Sequence, residues 1–387
     1  MKILLTSDWY TPAINGVVTS VLNLKQGLEA RGHEVRVLTL SQTHRSYTEG
    51  DVTYIGSRTA NRIYPGVRMR TSFRWKWVKE LIAWRPDIIH SNCEFFTFFI
   101  AHHLAEELQV PLLHTYHTVY EDYTHYFCPS ESGGKRLVRQ FSRWVSRRTN
   151  GMIAPTEKVA GMLRGYGITQ PIYVIPTGID LGRFQEEPDP EELRVLRESL
   201  GIPADHTLLV SIGRLAREKN TEELLEAMTA FRGEKVKLLI VGDGPYREEL
   251  EELTDALNLR GQVIFAGMVP PESVGKYYHL GDLFVCASTS ETQGLTYMEA
   301  LAAGLPMLCR ADECLEGVVL RGENGWQYES VEEFREKLRL FLEHPELRVK
   351  LHENAVKTGE QFSIAAFAER AEGAYIEQLK LWKEKSV

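Results

Sequence analysis

Residues 2–40 read KILLTSDWYTPAINGVVTSVLNLKQGLEARGHEVRVLTL: an apolar run, a polar loop, a helical period and a second apolar run. Lys2–Thr6 has the continuous apolar character of a strand buried on both faces. Val17, Val18, Val21, Leu22 and Leu28 recur at helical spacing across Val17–Ala30, and Gly32 stops the helix. Glu34–Leu40 follows as a second buried strand.

The same alternation continues along the chain. Further strands are predicted at Val52–Ile55, Asp87–His90, Leu112–Tyr116, Met152–Ala154 and Ile172–Ile175. Apolar strands alternating with amphipathic helices predict a parallel sheet covered on both faces. The pattern restarts near residue 205, with strands at Thr207–Ile212, Val236–Val241, Val263–Ala266, Leu283–Ala287 and Pro306–Cys309. Helices are predicted at Thr221–Met228, Tyr246–Leu257, Pro271–His279 and Thr296–Ala303. Leu181–Pro203 is acidic, holds Pro188 and Pro190, and reads as the connection between domains. Ser363–Trp382 is one long helical pattern. The expected fold is α/β: two tandem Rossmann-like, doubly wound domains, 1–180 and 181–362, with a C-terminal helix over 363–387 packing back on the first. Doubly wound sheets bind ligands at the carboxyl ends of their strands, so the interdomain cleft is the expected site. Many functions share this plan, and the chemistry has to come from particular residues.

Composition excludes several classes. The chain has 387 residues, 43% hydrophobic and 25% charged, the balance of a globular protein. The apolar run at Phe95–Ile100 is soon interrupted by His102 and His103, far short of a membrane span. The start lacks the pattern of a signal peptide. Five scattered cysteines without a CxxC fit free thiols in a reducing cytoplasm. Residues 1–180 carry 21 Lys+Arg against 15 Asp+Glu, whereas residues 181–387 carry 24 against 38. A basic half and an acidic half imply modules with different partners.

Four loops carry candidate chemistry. Ser7–Gly16 joins a strand to a helix and puts Asn15-Gly16 at the helix start, where backbone N–H groups can approach an anion. Arg214 and Lys219 follow the strand ending at Gly213 and suit a diphosphate. Val241-Gly-Asp-Gly-Pro245 reads as a turn. In Ser290–Pro306, Glu291 falls in a loop, Gly294 opens a helix and Glu299 lies within it. Backbone N–H groups of Gly294, Leu295 and Thr296 can hold phosphate, while the carboxylates accept from sugar hydroxyls. Glu291 and Glu299 fit two grips on one ligand better than a glycosidase pair facing one bond. Each loop alone also has an ordinary reading as a turn or a solvated charged segment.

Together, the Glu291/Glu299 element, the Arg214/Lys219 pair, the Asn15-Gly16 loop and the two Rossmann-like units resemble the retaining GT-B glycosyltransferases of family 4. The stretches NGVVTS (15–20), TYHTVYEDY (115–123) and APTEK (154–158) look like the bacterial diacylglycerol glucosyltransferases within it. The resemblance implies that Arg214 and Lys219 neutralise the donor diphosphate, Glu299 binds the nucleotide ribose, and Glu291 binds the donor sugar. It further implies that Gly294, Leu295 and Thr296 add backbone donors, that Gly16 lets its loop close on the phosphates, and that His117 meets the sugar near its reacting carbon. Asp8 and Glu94 sit at similar strand ends and are candidates to face the acceptor. His90, His102, His103, His114 and His125 have no convincing metal-ligand spacing, no DxD pair stands at a strand end, and neither a metal nor a cofactor is expected.

The basic half points to the acceptor. Arg58–Arg85 holds eight cations against Glu80, with Trp75, Trp77 and Trp84 among them. Lys135–Arg148 holds six cations and no acid, with Leu137, Val138, Phe141, Trp144 and Val145 on one helical face. Such segments suit an anionic bilayer, although the second also reads as a helix packed on the sheet. No nucleic-acid-binding motif occurs. The expectation is transfer of glucose from UDP-glucose to a lipid such as 1,2-diacylglycerol, by a cytoplasmic protein peripheral on the inner face of the cell membrane. The alternatives are a soluble sugar or polyol acceptor, and a nucleotide-sugar-binding protein or epimerase without transfer.

Overall fold

A computed structural model of the chain describes residues 1–13, 15–59, 68–70, 76–121 and 130–385. Arg62, Arg74, Trp75, His125 and Cys128 lie outside the described residues. The chain divides into two compact units, Met1–Gly178 with Ile364–Val387, and Ile179–Ser363.

The first unit contains β1 (Lys2–Ser7), β2 (Glu34–Leu40), β3 (Tyr47–Glu49), β4 (Val52–Ile55), the small pair β5 (Ser57–Thr59) and β6 (Arg68–Arg70), β7 (Ile88–Ser91), β8 (Leu112–Thr115), β9 (Gly151–Ala154) and β10 (Ile172–Val174). Its helices are α1 (Gly16–Ala30), α2 (Lys76–Trp84), α3 (Phe96–Leu108), α4 (Glu131–Ser146) and α5 (Glu157–Gly165). The main sheet runs β10-β9-β8-β7-β1-β2-β4-β3, parallel except for β3 against β4. Successive strand side chains point to opposite faces. Ile3 and Leu5 therefore pack with Val21, Leu24 and Leu28 of α1, and Leu4 packs with Val78, Leu81, Phe98 and Leu104 of α2 and α3. Both faces are covered, which is why the strand is apolar throughout. Each fully buried side chain of this kind stabilises by about 1.5–3 kcal/mol.

The second unit contains α6 (Gly182–Gln185), α7 (Pro190–Ser199), β11 (Thr207–Ile212), α8 (Thr221–Met228), β12 (Val236–Val241), α9 (Arg247–Ala256), β13 (Val263–Gly267), α10 (Val274–Leu280), β14 (Leu283–Cys286), α11 (Leu295–Ala302), β15 (Met307–Arg310), β16 (Gly325–Tyr328), α12 (Val331–Glu343) and α13 (Glu346–Gly359). Its sheet, β13-β12-β11-β14-β15-β16, is parallel throughout. That is the doubly wound order, with the strand sequence reversing between β11 and β14. Leu181–Pro203 is not a linker, contrary to expectation. Pro190 opens α7, Asp189 Oδ1 accepts from Glu191 N at 2.8 Å, and Leu193, Leu196 and Leu200 pack on the core of this unit. The acids and proline that read as a break are a helix start.

The final helix, α14 (Ile364–Lys385), belongs to the first unit. It packs on α1 at Gly27, where a Cβ would lie 2.7 Å from Ala368 Cβ. Tyr375 Oη lies 2.7 Å from His90 Nδ1, and Glu372 pairs with Arg31 and His33.

Candidate active site

In the second unit, the sheet order brings the loops after β11 and β14 together at the reversal point, where doubly wound sheets bind ligands. Gly213 follows β11, its N–H donating to Val241 O at 2.9 Å. Gly242 has φ +136°, and a Cβ there would stand 1.9 Å from Gly213 O. A Cβ on Gly244 would stand 2.1 Å from Leu215 O. The segment that reads as a simple turn is thus a close approach of two strand-end loops that only glycine permits.

Arg214 is half-exposed and its guanidinium contacts Glu218. Lys219 ends a 3₁₀ turn, Arg217–Lys219, and its Nζ lies 2.5 Å from Glu291 Oε1 in the loop after β14. Gly294, at φ +72°, precedes α11, and a Cβ there would meet the Tyr297 ring at 2.4 Å. Leu295 and Thr296 begin α11, where N–H groups lack intrahelical acceptors. Glu299 lies one turn further, and its Oε2 accepts from Tyr278 Oη at 2.8 Å. Burial raises its carboxyl, against the Tyr278 hydrogen bond and the Arg183 charge. The structure therefore brings Lys219 and Glu291 into contact, and holds Glu299 on Tyr278 of α10. Tyr278 is a partner that sequence reading missed, because it looks like one more core aromatic of its helix.

In the first unit the corresponding reversal lies between β1 and β7. Gly16 is the first residue of α1, beside Asn15, whose side chain accepts from Val18 N at 3.0 Å. Asp8 accepts from Phe96 N at 3.0 Å and Thr97 N at 2.7 Å. It serves as the cap of α3, a structural task where an acceptor-facing one was a candidate. Burial raises its carboxyl, opposed by these helix donors. Glu94 is buried and receives His114 Nε2 at 3.2 Å and Tyr120 Oη at 2.6 Å. Burial pushes its carboxyl up, but His114 and Tyr120 outweigh this and hold it below its ordinary value. His117 follows β8, with Nε2 at 3.1 Å from Asn92 Oδ1. Burial lowers its pKa to about 4, with Glu94 opposing and His114 reinforcing. Asn92, at the end of β7, is a second residue that sequence reading missed; a polar residue closing an apolar strand was the available signal. Among the described residues no group of His, Cys, Asp and Glu could hold a metal ion.

The basic helix α4 packs Val138, Ser142 and Val145 into the first unit. Phe141 and Trp144 stack at 6.1 Å and join Phe95, Phe98 and Phe99 in one aromatic cluster. Phe95, Phe99 and Leu137 remain 43, 54 and 54% exposed. Arg136, Arg139 and Arg147 are exposed, whereas Arg143 donates to Tyr166 O and Arg148 lies 4.1 Å over the Trp144 ring. The stripe expected on one face is therefore divided between core and surface.

Residues 14–183 match Glycosyltransferase Family 4, and residues 194–358 match Glycosyl transferases group 1. The alpha-monoglucosyldiacylglycerol synthase of Streptococcus pneumoniae is 36% identical over 325 residues, covering 82% of this chain and 73% of that protein. The protein of the same name from Acholeplasma laidlawii is 32% identical over 390 residues, covering 97% of each. Among solved structures, Anabaena HepE in complex with UDP superimposes with a TM-score of 0.75 at 18% identity, covering 97% of this chain and 100% of that one. Sucrose-phosphate synthase from Thermosynechococcus elongatus gives 0.74 at 21% identity, covering 98% and 99%. With two doubly wound units and relatives alike over most of their length, the chain belongs to the GT-B glycosyltransferases of family 4.

Proposed function

We propose that this glycosyltransferase moves glucose from UDP-glucose to the hydroxyl of a membrane lipid such as 1,2-diacylglycerol. The observation that carries the donor half is the Lys219–Glu291 contact beside Gly294, at the reversal point of the second sheet. Breaking a sugar–phosphate bond leaves negative charge on the diphosphate and positive charge on the sugar. Preorganised cations and N–H dipoles at the leaving group stabilise such a transition state more than any other device open to the protein. Arg214 and Lys219 supply the cations, and Gly294, Leu295 and Thr296 the N–H groups. Glu291 both orients the Lys219 ammonium and accepts from sugar hydroxyls. Glu299 takes the ribose, Gly16 admits the phosphates, and His117 meets the sugar.

The names of the two synthases support glucose and diacylglycerol, and the solved UDP complex of a related fold supports the nucleotide. No helix among the described residues is long and apolar enough to cross a membrane. In this reading the protein works on the cytoplasmic side, held at an anionic bilayer by α4 and by the Arg58–Arg85 segment. The test is incubation with labelled UDP-, GDP- and ADP-sugars, with and without vesicles containing diacylglycerol. Label should become lipid-extractable from UDP-glucose, and only with diacylglycerol present. Transfer to a soluble sugar instead, or donor binding with no transfer, would displace this reading.

A further inference from the structure

Asn92 constrains His117 from one side. An amide oxygen only accepts, so the imidazole nitrogen 3.1 Å from Asn92 Oδ1 must carry the proton. The amide orientation is determined by its other end. Asn92 Nδ2 lies 3.4 Å from the His90 carbonyl oxygen, and turning the amide over would set two acceptors face to face. Asn92 is 2% exposed, and its backbone N–H donates to Thr6 O at 2.8 Å, which anchors it to the end of β1. A neutral imidazole protonated on Nε2 has a bare lone pair on Nδ1. Among the described residues no group donates to that nitrogen.

We propose that Asn92 is a positioning residue that fixes His117 as the Nε2–H tautomer, so that His117 meets substrate as a hydrogen-bond acceptor for an alcohol hydroxyl. The inference rests on the reading of His117 as a substrate-contacting residue. Both a hexose hydroxyl of the donor and the hydroxyl of the acceptor have the required chemistry. Among the described residues, the charged and titratable groups around the ring are Glu94 after β7, His114 on β8 and His90 on β7. Burial favours the neutral ring, Glu94 favours the cation, and His114 opposes it. The ring therefore keeps its lone pair through neutral pH and loses it only in acid.

The test uses the full-length enzyme with ¹⁵N-labelled histidine and long-range ¹H–¹⁵N correlation spectra. Wild-type His117 should show a protonated Nε2 and a bare Nδ1 at neutral pH. UDP-glucose alone and diacylglycerol vesicles alone are then added in separate arms, and the arm that moves the Nδ1 resonance identifies the hydroxyl. Asn92→Asp sets a carboxylate against Nε2–H and should raise the His117 pKa, moving the acid limb of the turnover–pH profile up by about 1–3 units. An Nδ1–H tautomer in the wild type overturns the proposal, as does an Nδ1 resonance indifferent to both ligands. So does an acid limb that stays put in Asn92→Asp after the His117 pKa has risen. If Asn92→Asp does not fold, the wild-type spectra decide. Undiminished turnover in His117→Ala would instead remove His117 from the site, whatever its tautomer.

Discussion

Lys219 and Glu291 stand 2.5 Å apart, so neither can be altered without disturbing the other. Replacing Lys219 or Arg214 by Ala should each cut turnover about 100-fold, on the order of 3 kcal/mol, because each removes a charge preorganised for the leaving diphosphate. Circular dichroism should be unchanged, since both side chains are loop cations. Wild-type initial rates in either variant would end the leaving-group role. The two glutamates should separate in calorimetry. Glu299→Ala should weaken binding of UDP itself, whereas Glu291→Ala should weaken UDP-glucose far more than UDP. Equal loss of UDP affinity in both would show that this division of labour is wrong. Tyr278→Phe removes the hydroxyl that holds Glu299 and should reproduce a milder form of the Glu299→Ala defect.

At the scale of elements, the donor half depends on how closely β11 and β12 can bring their loops together. Gly242→Ala puts a methyl 1.9 Å from Gly213 O at φ +136°, so backbone must move. Steric crowding and a strained backbone each cost about 1–3 kcal/mol, and the variant should lose about 3 kcal/mol of unfolding free energy. Urea denaturation checks this; a midpoint within error of wild type would mean that the two loops do not approach as described. Gly161, in α5, meets nothing within 4 Å and makes a control, since Gly161→Ala should be neutral or slightly stabilising.

Across the whole molecule two behaviours are expected. The first is acid sensitivity. His90 is 1% exposed between Tyr375 and Thr115, and burial lowers its pKa from 6.5 to about 3. The unfolded chain therefore takes up a proton near pH 6.5 that the folded chain refuses until near pH 3. Stability must fall as pH drops through that window, with a slope approaching about 1.4 kcal/mol per pH unit for this residue. His117 adds to the loss with the same sign, and Asp8, whose carboxyl is raised, offsets part of it. Denaturation midpoints that are flat from neutral pH into this window would contradict the buried neutral imidazoles. The second behaviour is membrane binding. Phe95, Phe99 and Leu137 are exposed, and α4 with its C-cap also exposes the cations Arg136, Arg139 and Arg147, each worth about 1 kcal/mol near an anionic surface and screened by salt. The protein should co-sediment with anionic vesicles, less at high salt but not absent, because the aromatic part is salt-insensitive. Changing Arg136, Arg139 and Arg147 to Glu should release it and leave UDP binding intact. Arg143 is left alone because it holds Tyr166. Equal recovery in the supernatant with anionic and zwitterionic vesicles at both salts would move the acceptor to a soluble one.

Local information in the chain was enough for much of the scaffold. Glu34–Leu40, Val52–Ile55, Thr207–Ile212, Val236–Val241 and Thr221–Met228 form as their apolar periods predict, because burial on one or two faces imprints a short-range pattern. The Gly294 helix start was legible for the same reason: a glycine at a left-handed position is a local demand. The charged and proline-rich stretch at Leu181–Pro203 was misread because a helix start and a linker share that composition. What only the tertiary structure decided are the long-range partners. Lys219 meets Glu291 across 72 residues, and Glu299 meets Tyr278 across 21. Asp8 turns to cap α3, Asn92 orients His117, and α14 returns to α1 at Gly27. Each depends on which strand lies beside which and on how closely two backbones approach. Those are properties of the assembled sheet and its covering helices, and no period along the chain encodes them.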